Sequence, residues 1–280
     1  MGLKVSRAKP ALLILLHLII LIGASTMVLP LLWMVFTSLK PPPEVTSWPP
    51  RFLPTKWTVA NYFFALKSAP LLQFLMNSLF VGIVCTFTIL LTSTAAGYVF
   101  AKYNFPGKEF LFVAILATIM IPIETYIVPL YVQIARLRLV NTYLGLLFPN
   151  FIASSGIFFM RQNIASIPDE LIDAARIDGA SEFYIFPKII VPLSLSALSA
   201  LAIFMFMFIW TSFLWPLVIT SSKRIMTMEL GLTFFESMFT VEYGPMMAAS
   251  TIAVLPVLLA FIILRRRVIQ SIATTGLAGK

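Results

Sequence analysis

The side chains that could do chemistry in this chain are few, and most of them lie in one charged segment, residues 161–188. Its centre places Asp173 beside Ala174 and Ala175, with Asp178 close behind. Two adjacent alanines have small side chains, so the backbone of another protein can approach this surface closely. We therefore expect this segment to dock a partner protein rather than to catalyse a reaction.

A short helix has to position these residues. Ser166, with Asp169 three residues later, resembles a capping box, which predicts that the helix begins here. Leu171 falls on the same face as the two alanines at three- and four-residue spacing. Gly179 then supplies the left-handed conformation that ends a helix. The pattern predicts a rigid peg of about three turns.

A second candidate for chemistry is Glu124, a carboxylate inside an otherwise uncharged stretch. It follows Pro122, which loosens a helix and exposes backbone groups. An ionisable residue at membrane depth is a functional candidate by default, and here it would serve an ion-coupled carrier. The alternative is a position near the outer interface, where the carboxylate is only hydrated. The residues alone do not separate the two.

Catalytic chemistry finds no support in the motifs of the chain. A phosphate-binding loop needs Gly-x-x-x-x-Gly-Lys followed by Ser or Thr, and residues 276–280 only imitate its end. Cys85 and His17 are the only residues of their types, which excludes an internal disulfide and a multi-histidine metal site. We therefore expect no catalytic residue, no metal site and no cofactor bound by this chain.

The composition indicates a membrane protein. Hydrophobic residues make up 60% of the chain and charged residues only 11%, against roughly 25% charged residues in soluble domains. Six segments lack formal charge, or carry only Glu124, for longer than the about 18 residues that indicate a membrane span. They are residues 11–39, 68–101, 110–135, 139–160, 189–222 and 243–264. Because unpaired backbone groups are prohibitive in lipid, we expect an all-α polytopic protein with six transmembrane helices.

The organisation of the chain follows from these spans. We predict a cytoplasmic N-terminus (1–10), a first transmembrane helix (11–36), a proline-rich extracytoplasmic loop (37–67), a transmembrane core (68–265) that includes the cytoplasmic loop 161–188, and a cytoplasmic tail (266–280). The distribution of basic residues favours both termini inside, and the basic triplet at residues 265–267 is the strongest anchor. This triplet also absorbs much of the net charge of +9, which disfavours a nucleic-acid interface.

The spacing within the charged loop resembles a known motif. Asp173, Ala174 and Ala175 are followed after three residues by Gly179, and after nine more by Ile-Ile-Val-Pro at residues 189–192. This pattern resembles the EAA motif of permease subunits in ABC importers. It departs from the family by Asp in place of the usual Glu and by Val in place of the usual Leu, and both changes are conservative.

Other stretches resemble the carbohydrate-uptake branch of these type I importers, similar to maltose-type and glycerol-3-phosphate-type second permease subunits. They are Ser38-Leu39-Lys40-Pro41 followed by Asn61-Tyr62, Ala96-Gly97-Tyr98 with Phe105-Pro106-Gly107, and the run from Trp210 to Pro216. In that run Thr211 stands where the family usually has Asn. That position often faces the pathway in relatives, so Trp210, Thr211 and Trp215 join Glu124 as pathway candidates. Tryptophans near the end of a span are also ordinary interface anchors, and this alternative stays open.

The resemblance implies a permease subunit for a sugar or sugar-like solute in the bacterial inner membrane. It implies a homologous second permease, two ATP-binding subunits that use ATP and Mg, and an extracytoplasmic solute-binding protein. The implied docking residues for the ATP-binding subunits are Asp173, Ala174, Ala175, Arg176, Asp178, Gly179 and Pro192. We call residues 161–188 the coupling loop from here on.

The resemblance also implies a mechanism. Closure of the two ATP-binding subunits would move the coupling helix, which is expected to pass the displacement to the span that starts near Ile189. Two alternatives remain from the residues alone. One is an ion-coupled secondary transporter that uses Glu124, and the other is a membrane scaffold that transports nothing.

Overall fold

A computed structural model describes residues 10–236 and 241–277. These residues are mostly helical, and no β-strand occurs among them. The described residues up to Ala69, together with Phe234–Ile252, form one compact unit, and Pro70–Thr233 with the residues from Ala253 onward form a second. The predicted N-terminal segment up to residue 9 and the last three residues of the predicted tail lie outside the described residues.

The first unit contains a long apolar helix and a loop. Its helices are α1 (Pro10–Ser38), α2 (Pro42–Val45), α3 (Ala60–Ser68) and the beginning of α15 (Tyr243–Leu277). The side chains from Leu12 to Leu32 on α1 are exposed, although nearly all of them are apolar. This exposure suits a helix surrounded by lipid or by another subunit.

The proline-rich loop folds back onto the end of α1. The Asn61 side-chain amide donates to the carbonyl oxygens of Ser38 (2.9 Å) and Lys40 (2.7 Å). The Tyr62 hydroxyl lies 2.8 Å from the Ser38 hydroxyl. Lys40 is 2% exposed and donates from Nζ to the Arg51 carbonyl at 2.5 Å. These contacts explain why the Ser-Leu-Lys-Pro and Asn-Tyr stretches occur together in the sequence.

The second unit contains the remaining helices. They are α4 (Leu71–Lys102), α5 (Lys108–Ala117), α6 (Ile123–Arg136), α7 (Tyr143–Leu147), α8 (Ser154–Ala165), α9 (Asp169–Ile177), α10 (Glu182–Ile185), α11 (Val191–Leu193), α12 (Leu195–Trp210), α13 (Leu214–Ile219), α14 (Met228–Gly231) and the rest of α15. Short 3₁₀ turns occupy Thr118–Met120, Phe148–Asn150 and Leu232–Phe235, and Phe186–Ile190 is a π-helix.

All six apolar segments expected from the sequence are present, but only three of them are unbroken helices. Leu12–Ser38, Leu71–Lys102 and Tyr243–Ile263 are long and apolar enough to cross a membrane alone. The other three are helix pairs, which bend by 101° after Met120, by 44° after Asn150 and by 77° after Leu193. The sequence predicted the six segments and a loosened helix at Pro122, but it did not predict the bends after Asn150 and Leu193.

Each bend has a proline beside it, which supplies its physical cause. Pro122 precedes α6, Pro149 lies in the 3₁₀ turn just before the second break, and Pro192 lies two residues before the third break at Ser194. A proline removes one backbone donor and its ring clashes with the preceding turn, so a helix bends or stops there. The segment expected to start near Ile189 is therefore bent at Ser194, where Glu182–Leu193 is followed by α12.

Within the second unit, α8 and α12 pack against α4. Gly97 on α4 makes this approach possible, because a Cβ atom there would lie 2.8 Å from the Met160 Cβ and 2.9 Å from the Arg161 amide nitrogen. Gly156 on α8 similarly faces Ser93 on α4. Small residues let membrane helices approach backbone to backbone. The end of α8 is therefore held against α4, and the coupling loop starts from this fixed point.

Candidate functional site

The segment predicted to dock a partner forms α9, which begins later than the capping box indicates. Ser166 ends α8, and its hydroxyl donates to the Asn163 carbonyl at 2.7 Å. The residue before α9 is Pro168, which has no side-chain hydrogen bond to the helix. The capping-box prediction was wrong because the preceding helix already uses Ser166. Asp169 in the first turn still favours the helix through its dipole.

Gly179 ends the helix as the sequence predicts. Its φ angle is +84°, in the left-handed region. The Gly179 amide donates to the Arg176 carbonyl at 3.0 Å, and the Ala180 amide donates to the Ala175 carbonyl at 2.9 Å. This pair of bonds is the Schellman arrangement, which satisfies carbonyl groups at the end of a helix.

One buried residue anchors α9, and most of the helix is exposed. Ile172 is 1% exposed and packs with Ile190 in a cluster that also receives side chains from α4, α8 and α12. On the outer side, Ile177 is 86% exposed, and Phe183 just beyond the helix is 94% exposed. Large apolar side chains left open on a charged loop are typical of an interaction surface.

The predicted docking residues lie mostly together. Six of the seven are on α9 and its C-terminal turn: Asp173, Ala174, Ala175, Arg176, Asp178 and Gly179. All of these except Ala175 are exposed, and Ala175 is half-buried. Pro192 is exposed on α11, a separate short helix beyond the π-helix.

At its C-terminal end, α9 is tied to α4 through a carboxylate. Glu182 Oε1 accepts from Arg176 Nε at 2.9 Å, and Glu182 Oε2 accepts from the Tyr98 hydroxyl at 2.7 Å. Arg176 also donates to Asp173 at 3.2 Å. The hydrogen bond to Glu182 raises the pKa of Arg176. Burial raises the pKa of Glu182, but hydrogen bonds from Tyr103, Tyr98 and Arg176 outweigh it and hold the pKa below its usual value.

At its N-terminal end, α9 is tied to the same helix by a lysine. Lys102 Nζ donates to the Ile167 carbonyl at 2.5 Å and to Asp169 Oδ1 at 2.6 Å. The Lys102 side chain is 5% exposed, whereas that of Asp169 is 75% exposed. The lysine therefore reaches from the last turn of α4 to the start of α9 with its stem buried.

Arg161 on α8 provides a third connection near the loop. It donates to Glu109 at 3.1 Å and to the Phe100 carbonyl at 3.3 Å, and its guanidinium lies 3.9 Å from the centre of the Phe112 ring. The positions of these partners on α4 and α5 fix α8 as it enters the coupling loop. A guanidinium over an aromatic face adds a cation–π attraction.

The sequence analysis did not identify Tyr98, Lys102 or Glu182 as part of this site. One signal was available, since Tyr98 and Lys102 lie four residues apart and so share a face at the end of an uncharged span. Their partners could not be read from the sequence, because Lys102 and Asp169 are 67 residues apart in the chain and Tyr98 and Glu182 are 84.

A cavity of about 1020 Å³ lies where the helices of the second unit are interrupted. Its walls come from the break before α6, the break before α8 and the link between α12 and α13. No charged side chain is among the residues that line it. Aliphatic side chains make up much of the lining, which also contains hydroxyl and amide groups and aromatic rings, including Thr118, Tyr126, Asn150, Ser155, Phe208 and Phe213.

Two of the four pathway candidates line this cavity. Thr211 is exposed there, while Trp215 is 2% exposed and donates from Nε1 to the Gly145 carbonyl at 3.1 Å. Trp210 is buried and packs on Phe206 at 5.5 Å between ring centres. Glu124 is exposed in the first turn of α6 and is not among the lining residues.

Comparison with known proteins gives one consistent family. Residues 93–274 match the family described as "Binding-protein-dependent transport system inner membrane component". The arabinooligosaccharides transport system permease protein AraQ of Halalkalibacterium halodurans is 35% identical over 90% of this chain and 91% of its own length. The diacetylchitobiose uptake system permease protein NgcG of Streptomyces coelicolor is 29% identical over 92% of this chain and 86% of its own length.

A solved structure agrees on the fold. A chain from a bacterial ABC transporter involved in the import of the acidic polysaccharide alginate superposes with a TM-score of 0.81. The match covers 95% of this chain and 99% of that chain, at 19% sequence identity. The two chains therefore share the same helical fold.

Proposed function

This chain belongs to the family of binding-protein-dependent transport system inner membrane components, and we propose that it imports an uncharged sugar or sugar-like solute with energy from partner ATPases. It is a multi-pass inner-membrane permease subunit. The observation that carries the proposal is the exposed surface of α9, on a loop that is otherwise tied to the second unit.

The surface of α9 suits a cleft in another protein. Ala174 leaves the backbone accessible, and Ile177 supplies an apolar contact. Asp173 and Asp178 add a negative charge before and after these two residues in the chain. Gly179 stops the helix at once, so its exposed face is a short rigid block. In the proposed assembly this block enters an ATP-binding subunit, and a second copy of that subunit docks on a homologous permease.

The cavity supports an uncharged solute. A sugar presents hydroxyl groups and apolar C–H faces, and the lining offers hydroxyl and amide partners together with aromatic rings. Burying a charged solute against walls without an opposite charge is costly. The chain that shares the fold belongs to a transporter of acidic polysaccharide. The uncharged lining here points instead to neutral solutes, such as the arabinooligosaccharides of AraQ and the diacetylchitobiose of NgcG.

The remaining parts of the assembly follow from the family. A solute-binding protein delivers the solute from outside, and the homologous permease supplies the other half of the pathway. ATP and Mg act in the partner ATPase subunits, with no cofactor held by this chain. We place both termini and the coupling loop in the cytoplasm because the basic residues favour that orientation.

The ion-coupled alternative is disfavoured by Glu124. The carboxylate lies outside the cavity lining, and among the described residues it has no ion-pair partner. A proton or sodium relay needs ionisable groups that face the pathway. The family to which the chain belongs is binding-protein-dependent, which favours a transporter with separate ATPase subunits over an ion-coupled carrier.

Uptake by the purified complex tests the proposal. Proteoliposomes would contain this chain with the subunits that co-purify with it, and the solute-binding protein would be added outside. Labelled arabinotriose and diacetylchitobiose serve as neutral probes, and an alginate oligomer serves as the acidic one. We expect ATP-dependent uptake of a neutral probe and none of the acidic probe. Uptake driven by an ion gradient without ATP would contradict the mechanism, and preference for the acidic probe would contradict the solute class.

A further inference from the structure

Both ends of α9 are held by the last turn of α4. Lys102 binds the start of α9 through Asp169, and Tyr98 binds its end through Glu182, which in turn holds Arg176. We call these five residues the clamp. Tyr98 and Lys102 lie one turn apart, so two directional contacts from a single helix face fix both the position and the angle of α9.

The covalent connection from α9 to α12 is much less rigid. It passes through the π-helix Phe186–Ile190 and then through a bend of 77° at Ser194. The Ser194 hydroxyl is buried and has no hydrogen-bond partner among the described residues. Mid-chain π-helices and sharp kinks are places where a helix is weakened. A force that passed along the chain from α9 to α12 would therefore cross two weakened points.

The connection through α4 has no such interruption. α4 is one α-helix from Leu71 to Lys102, and Gly97 lets α8 pack directly on its backbone. Ile89 on the same helix lines the cavity. At 1.5 Å per residue, the distance along the helix from Lys102 to Ile89 is about 20 Å. A displacement of the clamp therefore reaches the cavity wall through an unbroken helix.

We infer that α4, held by the clamp, carries the movement of the coupling helix to the solute cavity, and that Tyr98, Lys102 and Glu182 are positioning residues for this step. The inference rests on the proposed function, because it needs an ATP-binding subunit that moves α9. It replaces the expectation that the displacement passes to the span near Ile189.

A thiol-labelling experiment tests the inference without knowledge of the solute. In the full complex, Cys85→Ser removes the only native thiol, and Thr211→Cys places one in the cavity. The rate of labelling by N-ethylmaleimide is compared between the nucleotide-free complex and the complex trapped with ATP and vanadate. We expect trapping to change this labelling rate in the parent complex, because trapping changes how easily the reagent enters the cavity.

The clamp variants are Tyr98→Phe and Lys102→Met in the same background. Each removes a hydrogen bond to a carboxylate, so we expect the labelling response to shrink by about fivefold while ATP hydrolysis continues. Adding Glu182→Gln to Tyr98→Phe should reduce the response further only through the contact between Glu182 and Arg176, because the contact with Tyr98 is already lost. Tyr131→Phe and Lys108→Met are matched controls, because neither side chain has a polar partner among the described residues. They should keep the full response.

The outcomes separate the inference from the proposed function. If the labelling rate of the parent complex is the same with and without ATP and vanadate, both the inference and the proposed function are overturned. A parent that responds, with clamp variants that respond equally, would overturn the inference alone. Loss of assembly, ATP hydrolysis and labelling response together in the clamp variants would assign these residues a purely structural role and would also overturn it. A reduced response with ATP hydrolysis retained supports it.

Discussion

Gly179 is the residue on which the shape of the coupling loop depends. Its φ of +84° is unfavourable for any residue with a side chain, yet no atom lies within 4 Å of the position a Cβ would take. A larger residue therefore meets no steric clash and suffers only backbone strain, of about 1–2 kcal/mol. The chain can relieve this strain by extending α9 or by turning it, and either change displaces the docking surface.

We predict that Gly179→Leu uncouples the subunit without preventing its insertion. Uptake and binding-protein-stimulated ATP hydrolysis should fall together, by about tenfold or more, because the ATP-binding subunits no longer meet a correctly placed α9. Transport assays and ATPase assays on the same proteoliposomes measure the two losses.

Gly107 offers a matched control for this change. Its φ is +79°, and it too has no atom within 4 Å of a Cβ position, but it precedes α5 rather than following α9. Gly107→Leu carries the same kind of strain outside the coupling loop, so uptake should stay near the parent value. Equal losses in both variants would show that strain, rather than the placement of α9, causes the defect.

For single residues, the sequence predicted the features that depend only on nearby residues in the chain. The stop at Gly179 depends only on its own backbone conformation, and the exposure of Ala174 follows from helical spacing. The capping role of Ser166 failed because two helices compete for it, and a local pattern does not say which one uses the hydroxyl. Tyr98 and Lys102 escaped notice because their partners are distant in the chain.

Among the elements, the crossing of α4 and α8 sets where the coupling loop begins. The contact at Gly97 is with the backbone of Met160 and Arg161, which no change of rotamer can move aside. On α8, a Cβ atom at Gly156 would similarly meet the Ser93 hydroxyl of α4. A larger residue at Gly97 must therefore push the two helices apart, and the start of the coupling loop moves with α8.

We predict that Gly97→Val lowers the stability of the complex by about 1–3 kcal/mol, because the added methyl groups overpack a backbone contact. The midpoint of thermal unfolding of the purified complex measures the loss. Gly23→Val on α1 is the control, because no described atom lies within 4 Å of a Cβ at that position. A Gly97 variant as stable as the Gly23 variant would contradict the close approach of α4 and α8.

Element boundaries show how far the sequence can be taken. The absence of charge located all six apolar segments, because lipid tolerates few charges over any length of helix. It did not locate the bends after Met120, Asn150 and Leu193. Prolines mark all three sites, but Pro30 and Pro256 lie inside continuous helices, so a proline alone does not decide between a break and an unbroken helix.

For the whole molecule, the energy source is the question that residues alone left open. Glu124 is the only carboxylate within the apolar segments, so a carrier driven by an ion gradient would have to use it. Its exposed position in the first turn of α6, outside the cavity lining, fits a hydrated residue that stabilises the start of a helix.

We therefore predict that Glu124→Gln keeps at least half of the ATP-driven uptake, since the amide preserves size and removes only the charge. The cost should not exceed about 1 kcal/mol of helix stability. Uptake in proteoliposomes with and without a protonophore measures the dependence on a gradient. Abolished uptake in the variant, or sensitivity of the parent to the protonophore, would restore the ion-coupled alternative.

The length of α4 adds one further consequence. Its 32 residues extend over about 48 Å, whereas the hydrocarbon layer is about 30 Å thick. The bilayer can therefore confine only part of this rod, and the rest projects beyond it. A sideways push on the tip that bears Lys102 tilts the whole rod about a fulcrum within the lipid. The opposite tip then moves in the reverse direction. An event on one side of the membrane therefore displaces the helix on the other side without any change in the internal geometry of the helix.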